Sequence, residues 1–202
     1  GDTNLPTINS SDRTTSVFDL GVCRVILGQG EVYYNDQKTA LDADLHNLEL
    51  QSTFDPDRKR YSGGLNYKDG KIHFQDLEPI VHSFHAEFEA TPDFFALKRS
   101  RLTSGVSQFT LAGRLDDYVH PKVTASYESS LDTSELRQLF KEPIEPTLRG
   151  IVKLAGSAKF EIDPNKPVLQ TLSLNGNLTS TGVQIHTGTI HTLVRDISAQ
   201  YL

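Results

Sequence analysis

From residue 17 onward, apolar and polar positions alternate with a period of two, the spacing at which successive side chains of an extended strand point to opposite faces. Phe18, Leu20, Val22 and Ile26 share one phase, with Asp19 in the other. Over residues 39–50, Leu41, Ala43 and Leu45 hold one phase and Leu48 and Leu50 the other. The flip at His46-Asn47 predicts a β-bulge, because one extra residue exchanges the faces. Tyr61, Leu65 and Tyr67 alternate up to Asp69-Gly70, which reads as a hairpin turn with Ile72 and Phe74 in the returning strand. Phe84, Ala86, Phe88 and Ala90 alternate against His85, Glu87 and Glu89, and Thr91-Pro92 ends that strand, since proline cannot donate to a ladder.

Phe95 and Leu97 lead to a turn at Ser104-Gly105. Phe109, Leu111, Gly113 and Leu115 follow, then Val123, Ala125 and Tyr127. Val152, Leu154, Ala158, Phe160 and Ile162 come next, then a turn at residues 163–167, then Leu172, Leu174 and Leu178. Val183 and Ile185 open the last stretch. One segment breaks the rhythm. Asp132-Thr-Ser-Glu135 has an N-cap residue with an acidic residue three positions on, and Leu136, Leu139 and Phe140 keep helical spacing. The pattern predicts a single short helix near 133–141, stopped by Lys141-Glu142-Pro143 and laid over an end of the sheet. About a dozen strands joined by short turns make a meandering antiparallel sheet. Almost every strand has one apolar and one polar face, so the apolar face must be hidden in a sandwich, a closed barrel or a curved open groove. Single Leu, Phe, Ala and Tyr interspersed with Gly are thin for a sandwich, and they favour an all-β fold built as a long curved antiparallel sheet with an open apolar groove. On that reading residues 1–16, rich in Thr, Ser, Asn and Asp, are a flexible leader and 17–202 form the β-groove domain. Leu41, Leu45, Phe84, Phe88, Phe109, Leu111, Phe160 and Leu174 are the candidate groove lining, from their phase in each run.

Composition adds little to this picture and removes much. Lys+Arg 20 against Asp+Glu 26 gives a net charge of −6, with no basic patch, which argues against nucleic acid. No apolar run approaches the roughly 18 residues of a membrane span. The chain contains no Met and starts at Gly1, and it reads as a fragment of a longer protein, which leaves room for anchor and address signals outside it. Its single cysteine, Cys23, precludes an internal disulfide; its place in an alternating run predicts an inert, at least half-buried thiol.

Chemistry-bearing motifs are absent. His82 and His85 sit three apart in a strand and face opposite ways; Gly188 separates His186 from His191; His46, His73 and His120 stand alone. No H-E-x-x-H or Cys-His spacing exists among them. Asp42/Asp44 and Glu87/Glu89 are alternate positions on polar strand faces, as a solvated face requires. Gly28-Gln-Gly30 lacks the third glycine and the helix of a phosphate loop and reads as a turn before Val32-Tyr33-Tyr34. Ser62, Ser104 and Ser107 lie in no nucleophile elbow. The expectation is a protein without catalytic residues, metal or cofactor.

Several stretches resemble a known family. Gly30-Glu-Val-Tyr-Tyr-Asn-Asp36 followed by Leu41-Asp-Ala-Asp-Leu-His-Asn-Leu48 resembles a recurrent pattern of the AsmA-like superfamily, its TamB-type members in particular. Tyr61-Ser-Gly-Gly-Leu-Asn-Tyr67 with Asp69-Gly-Lys-Ile72 is similar to the hairpin that follows. Leu111–Tyr118, Pro121–Tyr127 and Leu131–Leu136 resemble a strand, strand and short-helix passage, and Leu172–Leu178 is a further echo. The resemblance covers residues 17–187 and rests on order and rhythm. It implies a non-enzymatic periplasmic segment of an inner-membrane-anchored envelope protein of diderm (Gram-negative) bacteria. Such proteins curl their sheet into a half-pipe that conducts phospholipid acyl chains between inner and outer membranes, or that assists outer-membrane protein assembly in outer-membrane biogenesis. The competing reading from the residues alone is a β-barrel or β-sandwich binding module for a protein, glycan or small apolar ligand.

Overall fold

The computed structural model describes residues 17–36, 41–74, 77–138, 147–161 and 168–201. In chain order these form α1 (Val17–Leu20), β1 (Arg24–Asp36), β2 (Leu41–Asp55), β3 (Arg60–Phe74), β4 (Ile80–Ala90), β5 (Phe94–Ser104), β6 (Ser107–Asp116) and β7 (Lys122–Asp132). There follow α2 (Thr133–Gln138), β8 (Thr147–Arg149), β9 (Ile151–Glu161), α3 (Val168–Thr171), β10 (Ser173–Thr187) and β11 (Ile190–Tyr201). All eleven strands belong to one antiparallel sheet, ordered β1-β2-β3-β4-β5-β6-β7-β9-β10-β11, with the short β8 also pairing β10. β1 and β11 are the outer strands of that path and do not pair, so the sheet is open. This excludes the closed barrel, and a single sheet excludes the sandwich.

Three of the turns that reverse the chain share a local cause. Asp55 Oδ1 accepts from the amides of Asp57 and Arg58 at 3.1 and 3.2 Å, and Thr91 Oγ1 from those of Asp93 and Phe94. Asp117 Oδ1 does the same for Val119 and His120, at 2.8 and 3.1 Å. A short side-chain acceptor at the first turn position satisfies amides that have left the ladder. The backbone hydrogen bonds from His120 and Val119 also hold the Asp117 carboxyl below its usual range.

Two expected turns are bulges instead. β1 runs unbroken through Gly28-Gln29-Gly30, with Gln29 at φ 53° and a register shift between Leu27 and Gly30. β3 runs unbroken through Asp69-Gly70, with Asp69 at φ 55° and a shift between Tyr67 and Gly70. The bulge expected at His46-Asn47 is present, with Asn47 at φ 51°. The three left-handed residues sit at one level of neighbouring strands, since Gly30 pairs with Leu48 and His46 with Lys68. Each bulge bends its strand and increases the local twist.

Residues 17–23 do not extend the first strand. Val17–Leu20 make one helical turn ended by Gly21 at φ 54°, so the alternation there is not strand alternation. Cys23 precedes β1 and is exposed, contrary to the expected half-buried thiol.

The helix near 133–141 is present as Thr133–Gln138; Leu139, Phe140 and the stop signal lie outside the described residues, as do residues 1–16 and the turn at 163–167. Asp132 caps α2, its Oδ1 accepting from the amides of Ser134 at 2.7 Å and Glu135 at 3.3 Å. Replacing Asp132 with alanine is expected to lower the unfolding free energy by about 1 kcal/mol. Chemical denaturation checks this, and an unchanged midpoint would refute the cap. Glu135 does not close a reciprocal box onto residue 132. Its carboxylate reaches the β5–β6 turn and accepts from the amides of Val106 at 2.7 Å and Ser107 at 2.9 Å.

Candidate functional site

In an antiparallel pair, directly opposed residues share a face, so the register shows how the two sides of the sheet are populated. One transverse row reads Phe88, Leu97, Gly113, Ala125, Ala158, Leu174. The next reads Leu65, Ala86, Ser100, Leu111, Tyr127, Gly156, Gly176. A third contains Tyr67, Phe84, Leu102, Phe109, Ser129, Leu154 and Leu178. Flanking the first row on the same face, Phe160 pairs with Val123, which pairs with Leu115. The register therefore puts Phe84, Phe88, Phe109, Leu111, Phe160 and Leu174 on one continuous face. Leu45 joins them, because its side chain meets the same space above Gly70 as the Tyr67 ring. Leu41 opens β2 opposite Phe74 in register; its side chain lies outside the described part.

This face has lateral neighbours but little above it. Among the described residues only Tyr67, Ala86 and Val183 are buried hydrophobics, at 8%, 3% and 3% exposure, and no side chain is wholly enclosed. Phe95, Phe109 and Leu174 on the face are each more than a third exposed. Rings meet along it instead: Tyr67 stacks on Phe84 at 5.5 Å, Phe88 on Phe95 at 6.0 Å and Phe109 on Tyr127 at 6.5 Å. Two helical pieces cover its margins. Phe18 in α1 packs on Tyr61, itself 4.6 Å from Phe54. Leu136 of α2, with Ile80, Leu102, Phe109 and Leu131, lines an apolar pocket of about 150 Å³.

Several polar groups on the face are satisfied within it, though the buried Ser129 hydroxyl has no partner among the described residues. The hydroxyls of Ser100 and Ser180 donate to the carbonyls of Leu111 and Ile151 on neighbouring strands, at 2.9 and 2.5 Å. His82, only 2% exposed, bonds through Nδ1 to the Ile80 carbonyl at 3.1 Å and through Nε2 to the Tyr67 hydroxyl at 2.8 Å. Burial pushes the Tyr67 hydroxyl above its usual pKa.

The Tyr127 hydroxyl meets that of Tyr201 at 2.5 Å, although their strands lie three steps apart in the sheet. They bridge that span because Gly156 and Gly176 between them have no side chains. A Cβ on Gly156 would lie 2.7 Å from the Tyr127 hydroxyl, and one on Gly176 2.5 Å from that of Tyr201. Burial, then the hydrogen bond and charge of Tyr201, push the Tyr127 hydroxyl up to about 12.

The opposite face is ionic. Glu89 binds Lys98 at 2.6 Å and Arg60 at 3.6 Å, and the Lys98 hydrogen bond holds its carboxyl below the usual range. Asp44 meets His46 at 2.9 Å, Asp42 meets His73 at 3.7 Å, and the Arg114 guanidinium lies 3.6 Å over the Phe94 ring. The carboxylates are thus engaged with cations or imidazoles rather than paired with one another across a cleft. No group of three or more His, Cys, Asp or Glu gathers among the described residues, and no helix among them is long and apolar enough to cross a membrane.

Sequence phase finds the apolar face but not the long-range Tyr127–Tyr201 contact or the Tyr67–His82 pair. The small residues opposite and beside Tyr127 in the alternation were the available signal for the former. The chain matches no family model, no curated protein and no solved structure.

Proposed function

We propose that the apolar face holds lipid acyl chains, and that the protein is a non-enzymatic envelope segment that conducts them between inner and outer membranes. The observation that carries this reading is the scale of the uncovered face: rows of Leu, Phe, Ala and Tyr cross the sheet, yet only three hydrophobic side chains among the described residues are buried. A soluble monomer rarely leaves more than a few hundred Å² of contiguous apolar surface to water. Acyl chains laid along such a face gain about 0.8 kcal/mol per buried methylene, while headgroups stay hydrated. A slide of this kind needs no nucleophile or acid–base pair. The periplasmic setting, the inner-membrane anchor outside this chain and the AsmA-like membership belong to the same proposal and rest on the sequence resemblance.

Purified protein is expected to carry extractable lipid, identified by mass spectrometry, and to bind a fluorescent phospholipid. Phe88→Glu and Leu111→Glu should each reduce uptake by more than about tenfold, because a charge now sits where methylenes must lie. His85→Lys and Thr110→Lys, on the opposite face, should leave uptake unchanged; lysine at position 110 also faces Glu128 across the strand pair. A lipid-free monomer that ignores the titration would overturn the reading and favour a protein-binding module.

A further inference from the structure

We propose that His186 and His191 form a two-imidazole site for a divalent transition-metal ion, zinc foremost, at the turn end of the β10–β11 hairpin. Five residues apart in sequence, they have an H-x4-H spacing that occurs in zinc sites, but no cysteine pair or H-E-x-x-H helix accompanies it. The hairpin removes that separation. Gly188, at φ 50°, and Thr189 make a two-residue turn, and the register places His186 directly opposite His191.

Opposed residues point to one face, and here the two imidazole centroids lie 4.6 Å apart with their planes at 73°. Two imidazoles on one tetrahedral zinc, with metal–nitrogen bonds of about 2.0–2.1 Å, have centroids about 5 Å apart. The observed separation falls short of that by a few tenths of an ångström, within reach of small side-chain rotations. His191 is exposed and His186 half-buried, so water can fill the remaining coordination positions.

A second observation sets this pair apart. The other five histidines have partners: His46 has Asp44, His73 has Asp42, His82 has Tyr67, His85 has Glu87 and Asn66, and His120 has Asp117. His186 and His191 have no hydrogen bond or ion pair among the described residues; each has the other's ring. His186 is opposite Thr147 of β8, and Arg149 of that strand is opposite Gln184, two residues before His186. Among the described residues, therefore, no other group engages the ring nitrogens. Imidazole nitrogens left in this state suit a borderline-soft ion such as zinc, and calcium or magnesium would prefer oxygen ligands.

Zinc chloride titrated into the whole chain by calorimetry should show one saturable site per protein, with histidine ring resonances of residues 186 and 191 shifting together. His186→Ala and His191→Ala should each weaken binding by more than about tenfold, because one ligand of two is lost. His120→Ala, which removes an exposed histidine elsewhere, should leave it unchanged. Amide spectra of the variants check that the hairpin still forms. The proposal is overturned if no saturable binding occurs, or if the His186→Ala/His191→Ala double variant binds zinc as the parent chain does.

Discussion

Gly156→Ala is expected to lower the unfolding free energy by about 3 kcal/mol, the upper end for an overpacked site. The new methyl would lie 2.2 Å from the Asn175 carbonyl oxygen and 2.9 Å from Gly176 Cα, both backbone atoms of the adjacent strand. Neither can rotate away, so β9 and β10 must separate locally. The same methyl would displace the Tyr127 hydroxyl from its partner. A second readout therefore accompanies the shift in urea midpoint: the Tyr127 hydroxyl, pushed up to about 12 in the intact protein, should titrate closer to an ordinary phenol. Tyr201→Phe separates the two effects. It keeps the ring over Gly176, removes one hydrogen bond and should cost about 1 kcal/mol. If Gly156→Ala unfolds at the parent midpoint, the two tyrosines do not lie over a glycine floor.

Glu135→Ala ranks next, at about 2–3 kcal/mol. One carboxylate accepts two amides from the β5–β6 turn, and hydrogen bonds to a charged group contribute about 1.5–3 kcal/mol. Without it, those amides at the turn lose their acceptor and α2 loses its fastening over Leu102 and Phe109. Acidification should reproduce part of the loss. Burial alone would raise the Glu135 carboxyl, but the Ser107 side chain and the Val106 and Ser107 amides outweigh it and hold the carboxyl below its ordinary value. The folded state therefore binds this proton less tightly than the unfolded chain. Its contribution is full above the ordinary carboxylate range and is lost as pH falls through the lowered folded value. The stability gap between the parent and Glu135→Gln, followed by urea unfolding at several pH values, should be flat near neutrality and shrink toward acid. A gap that widened on acidification would contradict the assignment.

Strand faces were legible from sequence because the side-chain period of two is a local property. The register assembles Phe84, Phe88, Phe109, Leu111, Phe160 and Leu174 on the face their phase indicates. Bulges were only partly legible. Asn47 is betrayed by a phase flip between Leu45 and Leu48. Asp69-Gly70 has the same backbone preference for φ > 0 whether the chain reverses there or merely gains a residue. What distinguishes the two is the pairing strand, and that information is not local. Strand length was the neglected clue: β2 and β3 each have 15 residues and pair from end to end, which a reversal at residue 69 would have made impossible. The histidine pair was missed for a related reason. Reading Gly188 as a separator ignored that a two-residue turn makes its flanks neighbours. The Tyr127–Tyr201 contact spans 74 positions in sequence, and no short-range pattern reports it.

The left-handed residues Gln29, Asn47 and Asp69 also govern which length changes this sheet can inherit. Deleting Asn47 would remove the extra residue, keep Leu48 and Leu50 in phase with Leu45, and leave β2 one residue short against the bulged β1 and β3. A single deletion elsewhere in the strand would send every residue beyond it to the other face. Removing or adding two residues would keep the phase and only slide the ladder. Within β1, β2 and β3, insertions and deletions are therefore quantised in twos, or must occur as matched single steps on adjacent strands. The β2–β3 turn at residues 56–59 carries no such parity and is free to vary by any number.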